Sequence, residues 1–230
     1  MNAIILAGGK GSRLQPWHAP KCLLPINGVT ILQRLLSHLF SGDEIDRVVV
    51  CAGYRASDIE ASLNAHVWDG ASSNVLTSNA GEDAPMGERL RKARELTDGG
   101  RVIICYGDEL VDVNIEALLQ AHNCASLASL TFVAAKSSTP GGTVVEDPYE
   151  ENAGSRSVIV EDQARWVNVG FAIVEPECWQ WLKPEDGLSD WINTISRERV
   201  GGGARVFYFE GKRATVNSLA DLQHAEEVWK

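Results

Sequence analysis

Five apolar runs alternate with amphipathic stretches across the first 135 residues of this chain, and that alternation limits its fold more than any other feature. The runs are AIILA, RVVVCAG, NVLTS, RVIICYG and SLTFVAA, each of a length that suits a strand. Between them TILQRLLSHLF, SDIEASLNAHV, GERLRKARELT and NIEALLQAHN carry apolar residues at helical spacing. Strands separated by helices of this size predict an α/β fold, a Rossmann-like, mostly parallel sheet flanked by helices on both faces. Right-handed crossovers then gather the C-terminal ends of the strands, with their loops, along one edge.

The pattern changes after about Ala135. GGTVVEDP, SRSVIVED, WVNVGFAIV and ARVFYFEG read as strands, with EDGLSDWINTISRERV helical before the last of them and SLADLQHAEEVW as a closing helix. Ser218 and Asp221 are spaced as a capping box for that helix, and Asp112 is placed to cap the helix that begins at NIEALL. With no repeat, low-complexity tract or long linker, residues 1–230 read as one domain with a mixed C-terminal region.

A 44% hydrophobic content supplies a core, and a net charge of −10 argues against a nucleic-acid partner, which needs a positive field. It leaves room for a small phosphate ligand held by a local cluster of cations. None of the five cysteines forms a metal-knuckle pair; Cys51 and Cys105 sit inside strand-like runs and read as buried thiols of a reducing compartment. MNAIILAGG lacks the basic start and long apolar stretch of a signal peptide, and no run approaches the roughly eighteen apolar residues of a membrane span. A cytoplasmic location and no membrane partner are therefore expected, while a homo-oligomer is left open.

Gly8, Gly9 and Gly11 follow the first strand, where the chain must turn into a loop. Three readings fit glycines alone: a dinucleotide-binding turn, a P-loop, or a tight turn without a ligand. GGKGSR supplies neither G-x-G-x-x-G nor the G-K-(S/T) ending of a Walker A loop. Arg13 and Lys21 add two cations, and exposed backbone N–H groups together with such side chains can clamp a triphosphate. Solvation is the competing role for each of them, and for Lys10 between the glycines it is the expected one. Further on, Gly107-Asp108 ends the apolar run VIICY, which puts a carboxylate where ligand loops gather. Asp108 suits magnesium, which takes carboxylate, phosphate and water oxygens; a turn or cap is its alternative role.

LAGGKGSRLQP followed by APKCLLPI resembles the sugar-phosphate nucleotidyltransferase superfamily, whose signature is L-A-G-G-x-G-(S/T)-R-L-x-P and then P-K-x-L-x-P. The resemblance implies the nucleotide-diphospho-sugar transferase, GT-A-like form of the α/β fold, with 1–135 as the nucleotide-binding part and 136–230 as the acceptor-binding and closing part. It implies that Leu6, Ala7, Gly8, Gly9, Gly11 and Ser12 wrap the nucleotide, that Arg13 and Lys21 stabilise the triphosphate and its transition state, and that Asp108 binds Mg²⁺. Asn217, in an N-(S/T)-x-x-D-L ending similar to that of molybdenum-cofactor guanylyltransferases, stands where many relatives carry a second metal-binding aspartate.

The segment MGERLRKAR keeps Gly87, Arg89 and Leu90 in the order of the T-G-G-R-L-K-R region of glucose-1-phosphate cytidylyltransferases, which lies near the base. CTP is therefore the implied nucleotide, with guanylyl or uridylyl transfer as alternatives and a non-catalytic NTP-sensing module as the reading from another class. The family's E-K-P acceptor lysine is missing, since no lysine occurs between Lys136 and Lys183. Arg165 is the substitute cation, and Asn168 and Gly170 resemble an N-x-G that helps hold the acceptor, a sugar phosphate or a similarly small phosphorylated metabolite.

Overall fold

The chain opens with a buried strand, β1 (Asn2–Leu6), and a glycine loop that leads to a 3-10 turn at Lys21–Leu23. A short ribbon, β2 (Pro25–Ile26) and β3 (Val29–Thr30), delivers the chain into α1 (Ile31–Leu39), whose Thr30 and Gln33 form a reciprocal capping box. Then follow β4 (Arg47–Ala52), α2 (Ala56–Asn64), β5 (Val75–Asn79), α3 (Met86–Arg94) and β6 (Val102–Tyr106). The second half holds β7 (Glu109–Val111), α4 (Ile115–Cys124), β8 (Leu130–Lys136), β9 (Gly142–Glu146), β10 (Ser157–Glu161) and β11 (Trp166–Val174). After a 3-10 stretch at Pro176–Trp181 come α5 (Leu188–Glu198), β12 (Ala204–Phe209), β13 (Arg213–Thr215) and α6 (Leu219–Val228). The computed structural model describes residues 1–11, 18–65, 74–124, 128–136, 142–146, 157–161, 166–198 and 200–230, with 142–146 and 157–161 described by their backbone.

Nine strands form the main sheet among the described residues. β1 pairs in parallel with β4 on one side and β6 on the other, and β5 extends the sheet beyond β4. The chain thus winds outward from β1 through β4 and β5, then returns to β1's opposite flank with β6. Such a reversal leaves a crevice at the C-terminal ends of the strands, because the connecting loops depart to opposite sides. Beyond β6 the sheet turns mixed, as expected after Ala135: β11 runs antiparallel to β6 and to β8, and β12 joins β8 in parallel.

Both faces of the sheet are covered, which is why the strands read as continuous apolar runs. Ala3, Ile5, Val48, Val50, Ile103 and Cys105 point to one core with α1, α4 and α6. Ile4, Val49, Cys51, Val102 and Ile104 point to the other, with α3, α5 and the fully buried Trp191. Cys51 and Cys105 are buried free thiols as expected, and burial raises both, Cys51 to about 12. Among the described residues no helix is long and apolar enough to cross a membrane.

Two caps differ from expectation. Asn114, not Asp112, caps α4, its Oδ1 accepting from Ala117 N at 2.8 Å. Asp112 is instead held by its own N–H, which donates to Lys212 O at 3.0 Å. An extra ribbon, β7 paired with β13, draws Asp112 out of the cap position. At α6, Ser218 Oγ does accept from Asp221 N, but the Asp221 carboxylate passes Ser218 and takes the N–H of Asn217 at 2.9 Å.

A polar cluster lies beside β8 and β11, where β11 ends. His122 Nδ1 lies 2.7 Å from Thr131 Oγ1 and its Nε2 3.0 Å from Glu175 Oε1, which also takes Arg101 Nε at 2.6 Å. Burial holds the His122 imidazole below its usual range, so the ring is neutral near pH 7 and donates from Nε2. For Glu175 burial pushes upward, but the hydrogen bonds from Arg101 and His122 prevail and hold it below the usual carboxylate range. Both groups bind protons more weakly folded than unfolded, so their stabilisation is present above the unfolded values and lost as pH falls. The melting temperature should drop as pH falls from 7 to 5, and more steeply in Glu175→Gln, where the imidazole loses the carboxylate that favours its protonation; an equal or shallower slope in the variant would contradict this account.

Candidate active site

The crevice beside β1 is a cavity of about 450 Å³. One wall is the end of β1 and the loop after it, Leu6, Ala7, Gly8 and Gly9. Tyr106, Gly107 and Asp108 at the end of β6 form a second wall, Ala84, Met86 and Arg89 a third, and Lys21 and Cys22 close the last side. Backbone bonds fix these strand ends relative to one another: Ala7 N donates to Cys51 O at 3.1 Å and Gly107 N to Leu6 O at 3.0 Å.

Lys21 reaches the site from the 3-10 turn after Pro20. Its Nζ donates to Asp108 Oδ2 at 2.9 Å and to Asn217 Oδ1 at 2.7 Å, and its side chain is only 12% exposed. Three residues singled out from distant parts of the sequence thus meet at one ammonium. Gly11 makes room for this arm: its φ is +60°, and a Cβ there would stand 2.6 Å from Lys21 Cγ.

Two oxygens converging on one cationic atom also fit a divalent cation. A carboxylate and an amide oxygen are a suitable protein share for Mg²⁺ when phosphates and water complete its shell. Among the described residues no group of three or more acidic, His or Cys side chains offers a full protein cage. The donor set therefore suits a metal that arrives with, or binds against, a polyphosphate.

Arg89 is almost entirely buried. Its Nε donates to Ala84 O at 2.8 Å, Nη1 to Ala52 O at 3.2 Å and Nη2 to Glu82 O at 2.8 Å. Gly8 permits this arrangement, since a Cβ there would run into the Arg89 guanidinium and come 3.2 Å from the Ala52 carbonyl carbon. Arg89 thus ties the end of β4 to the 82–84 loop while lining the cavity. Lys10 meets the same loop from outside, half-exposed and paired with Glu82 and Asp83 at 3.3 and 2.8 Å.

Residues 3–140, well over half of the chain, match the MobA-like NTP transferase domain family. This chain belongs to that family. Over its whole length it is 25% identical to a protein of Bacillus subtilis (strain 168) named "Probable glucose-1-phosphate cytidylyltransferase", covering 96% of that protein. It is 23% identical, again over its full length and 96% of the relative, to a Salmonella typhi glucose-1-phosphate cytidylyltransferase. HddC from Yersinia pseudotuberculosis, solved in complex with GMP-PN, shares the fold with a TM-score of 0.76 and 20% identity, over 100% of this chain and 99% of that one.

The expected membership of the nucleotidyltransferases and the Rossmann-like sheet therefore stand. In this NTP transferase domain Leu6, Ala7, Gly8, Gly9, Lys21, Arg89 and Asp108 share one cavity. Gly87 lies on α3 beside that cavity but packs on a neighbouring loop, where a Cβ would clash with the carbonyls of Lys183 and Pro184. Asn168 and Gly170 sit inside β11 at a break in its register with β8, and Asn168 Oδ1 accepts from Gly170 N at 2.9 Å. Gly170 packs against the ring of Tyr106, which puts the pair behind one cavity wall. Ser12, Arg13 and Arg165 lie outside the described residues. Of the tryptophans, Trp179 and Trp191 are core residues and Trp166 is half-buried.

The same cavity is lined by residues that are not among the expected site residues. Tyr106 and Met86 supply apolar cavity surface. Tyr106 was traceable, since it alternates in phase with Ile104 and immediately precedes Gly107-Asp108. Glu109, next to Asp108, is 4% exposed, and burial pushes its carboxyl up to about 7 against the opposing pull of Arg213 and Thr215. Replacing Arg89 by Lys leaves carbonyls of the β4 end and the 82–84 loop without their shared donor. The expected loss is about 2 kcal/mol of stability, read as a lower urea midpoint. An unchanged midpoint would show that the guanidinium ties nothing together.

Proposed function

We propose that this chain is a divalent-metal-dependent cytidylyltransferase. It joins CTP to a sugar 1-phosphate or a similarly small phosphorylated metabolite and releases pyrophosphate, leaving a CDP-linked product. The observation that carries the reading is the Lys21 ammonium held between Asp108 and Asn217 at the rim of the glycine-lined crevice. The choice of CTP is supported by the names of the Bacillus and Salmonella relatives, which align with the whole chain.

The acceptor brings its own nucleophile, an ionised phosphate oxygen, so no side chain has to remove a proton or form a covalent intermediate. One acceptor oxygen bonds to the α-phosphorus, and the bond from that phosphorus to the oxygen bridging to the β-phosphate breaks. Charge grows on the departing pyrophosphate. Lys21 is assigned to answer it from the rim of the crevice, and Arg13 is assigned the same task from the glycine loop. The loop itself presents backbone N–H groups, with no side chain at Gly8 and Gly9 to hold the phosphates away. Asp108 and Asn217 are the residues that would hold Mg²⁺, which when bound neutralises phosphate charge and orients the chain of phosphates. With Mg²⁺ on these two oxygens, the Lys21 ammonium would pair with the phosphates instead. Arg165, Asn168 and Gly170 are assigned to the acceptor end, in keeping with the place of Gly170 behind Tyr106.

Pyrophosphate release with CTP, GTP, UTP and ATP against a panel of sugar 1-phosphates tests the proposal. CTP should give the highest kcat/KM, and Lys21→Ala should lower kcat by about a hundredfold or more. Preference for another base would move the assignment to guanylyl or uridylyl transfer. Tight nucleotide binding without pyrophosphate from any pair would favour a nucleotide-sensing module and overturn the catalytic reading.

A further inference from the structure

Asp108 and Asn217 are brought together by a very small piece of structure. Asp108 directly precedes β7, Asn217 follows β13 by two residues, and the strands pair antiparallel as Glu109 with Thr215, Leu110 with Ala214 and Val111 with Arg213. Val216 N adds one more bond, to Asp108 O at 2.9 Å. Two strands of three residues form a ribbon that is marginal on backbone bonds alone. A slip of one residue would carry Asn217 about 3.3 Å along the strand and reverse every side chain.

Side chains between the strands oppose that slip. Thr215 Oγ1 donates to Glu109 Oε2 at 2.5 Å and accepts from Arg213 Nη2 at 3.1 Å. Arg213 Nε lies 3.3 Å from the other carboxyl oxygen, Glu109 Oε1. The hydroxyl therefore has one donor and one acceptor partner, and the three groups close a ring across the ribbon. The Arg213–Glu109 ion pair is a poor source of stability, because desolvation offsets its attraction, whereas the two directional hydrogen bonds at the Thr215 hydroxyl suit the group to fixing a register.

We propose that Glu109, Thr215 and Arg213 form a positioning lock that sets the spacing of Asp108 and Asn217, so that both oxygens meet one cation. The inference rests on the reading of those two residues as the divalent-metal ligands. The lock touches neither nucleotide nor metal and acts through the ribbon alone.

The test is Mn²⁺ binding to the full chain in the presence of a non-hydrolysable α,β-methylene analogue of CTP, followed by loss of the free-ion EPR signal. Thr215→Val removes the hydroxyl and keeps the shape; Thr215→Ser keeps the hydroxyl. Thr215→Val should weaken Mn²⁺ binding by about tenfold or more, as loss of a partner behind a metal ligand does. Its affinity for the analogue without metal should stay within about twofold of wild type, and Thr215→Ser should restore Mn²⁺ binding. Glu109→Gln, with one carboxyl oxygen replaced, should fall on the side of Thr215→Val. Wild-type Mn²⁺ affinity in Thr215→Val overturns the lock, as does an equal loss of metal-free nucleotide affinity, which would mark general disruption. Asp108→Asn separates the two levels: if it weakens Mn²⁺ binding while Thr215→Val does not, only the lock fails. If Asp108→Asn is also without effect, the metal assignment falls with it.

Discussion

One ammonium group joins the parts of this site. Lys21 comes from the turn after the glycine loop, Asp108 from the end of β6 and Asn217 from the approach to the last helix, and Lys21 Nζ bonds to both oxygens at 2.9 and 2.7 Å. A largely buried cation of this kind has to be paired, since desolvation is costly unless hydrogen bonds replace the lost water. The same need fixes where the chain must return. α6 starts next to Asn217, and the Asp221 carboxylate holds the Asn217 N–H, so the closing helix is tied to the rim of the cavity that the first strand opens.

The cavity owes its place to the winding of the sheet. Loops leave β1 and its neighbours in opposite directions only where the order of strands reverses, so the glycine loop and Gly107-Asp108 face each other there. Arg89 then completes the base of the site by holding the end of β4 and the 82–84 loop through their carbonyls, with Gly8 leaving space for its guanidinium. Charge that a motif assigns to a ligand is thus also used to build the pocket.

Much of this was legible in the residues because it depends on local pattern. Apolar runs such as RVVVCA and VIICY, with helices between them, carry the parallel sheet, and the glycine loop and Gly107-Asp108 fall at strand ends whatever else the chain does. What escaped the reading depends on partners far away in sequence. Nothing near Asp112 announces that Lys212 will claim its N–H, so Asn114 takes the cap. Glu109 carries no local signal of its buried place, which depends on β13 bringing Thr215 and Arg213 against it. The motif places Arg89 near the base, and only the packing of α3 beneath Gly8 shows that its guanidinium also ties the end of β4 to the 82–84 loop.

The central claim is that Lys21, Asp108 and Asn217 mark one centre for a nucleotide triphosphate and its metal. A crystal structure of the chain with Mg²⁺ and a non-hydrolysable CTP analogue tests it most directly. The account predicts the metal bonded to an Asp108 carboxylate oxygen and to the α-phosphate, Lys21 turned onto the phosphates, and the base against Ala84, Met86 and Arg89. A nucleotide bound away from the β1 crevice, or a metal that contacts the phosphates without Asp108, would contradict it.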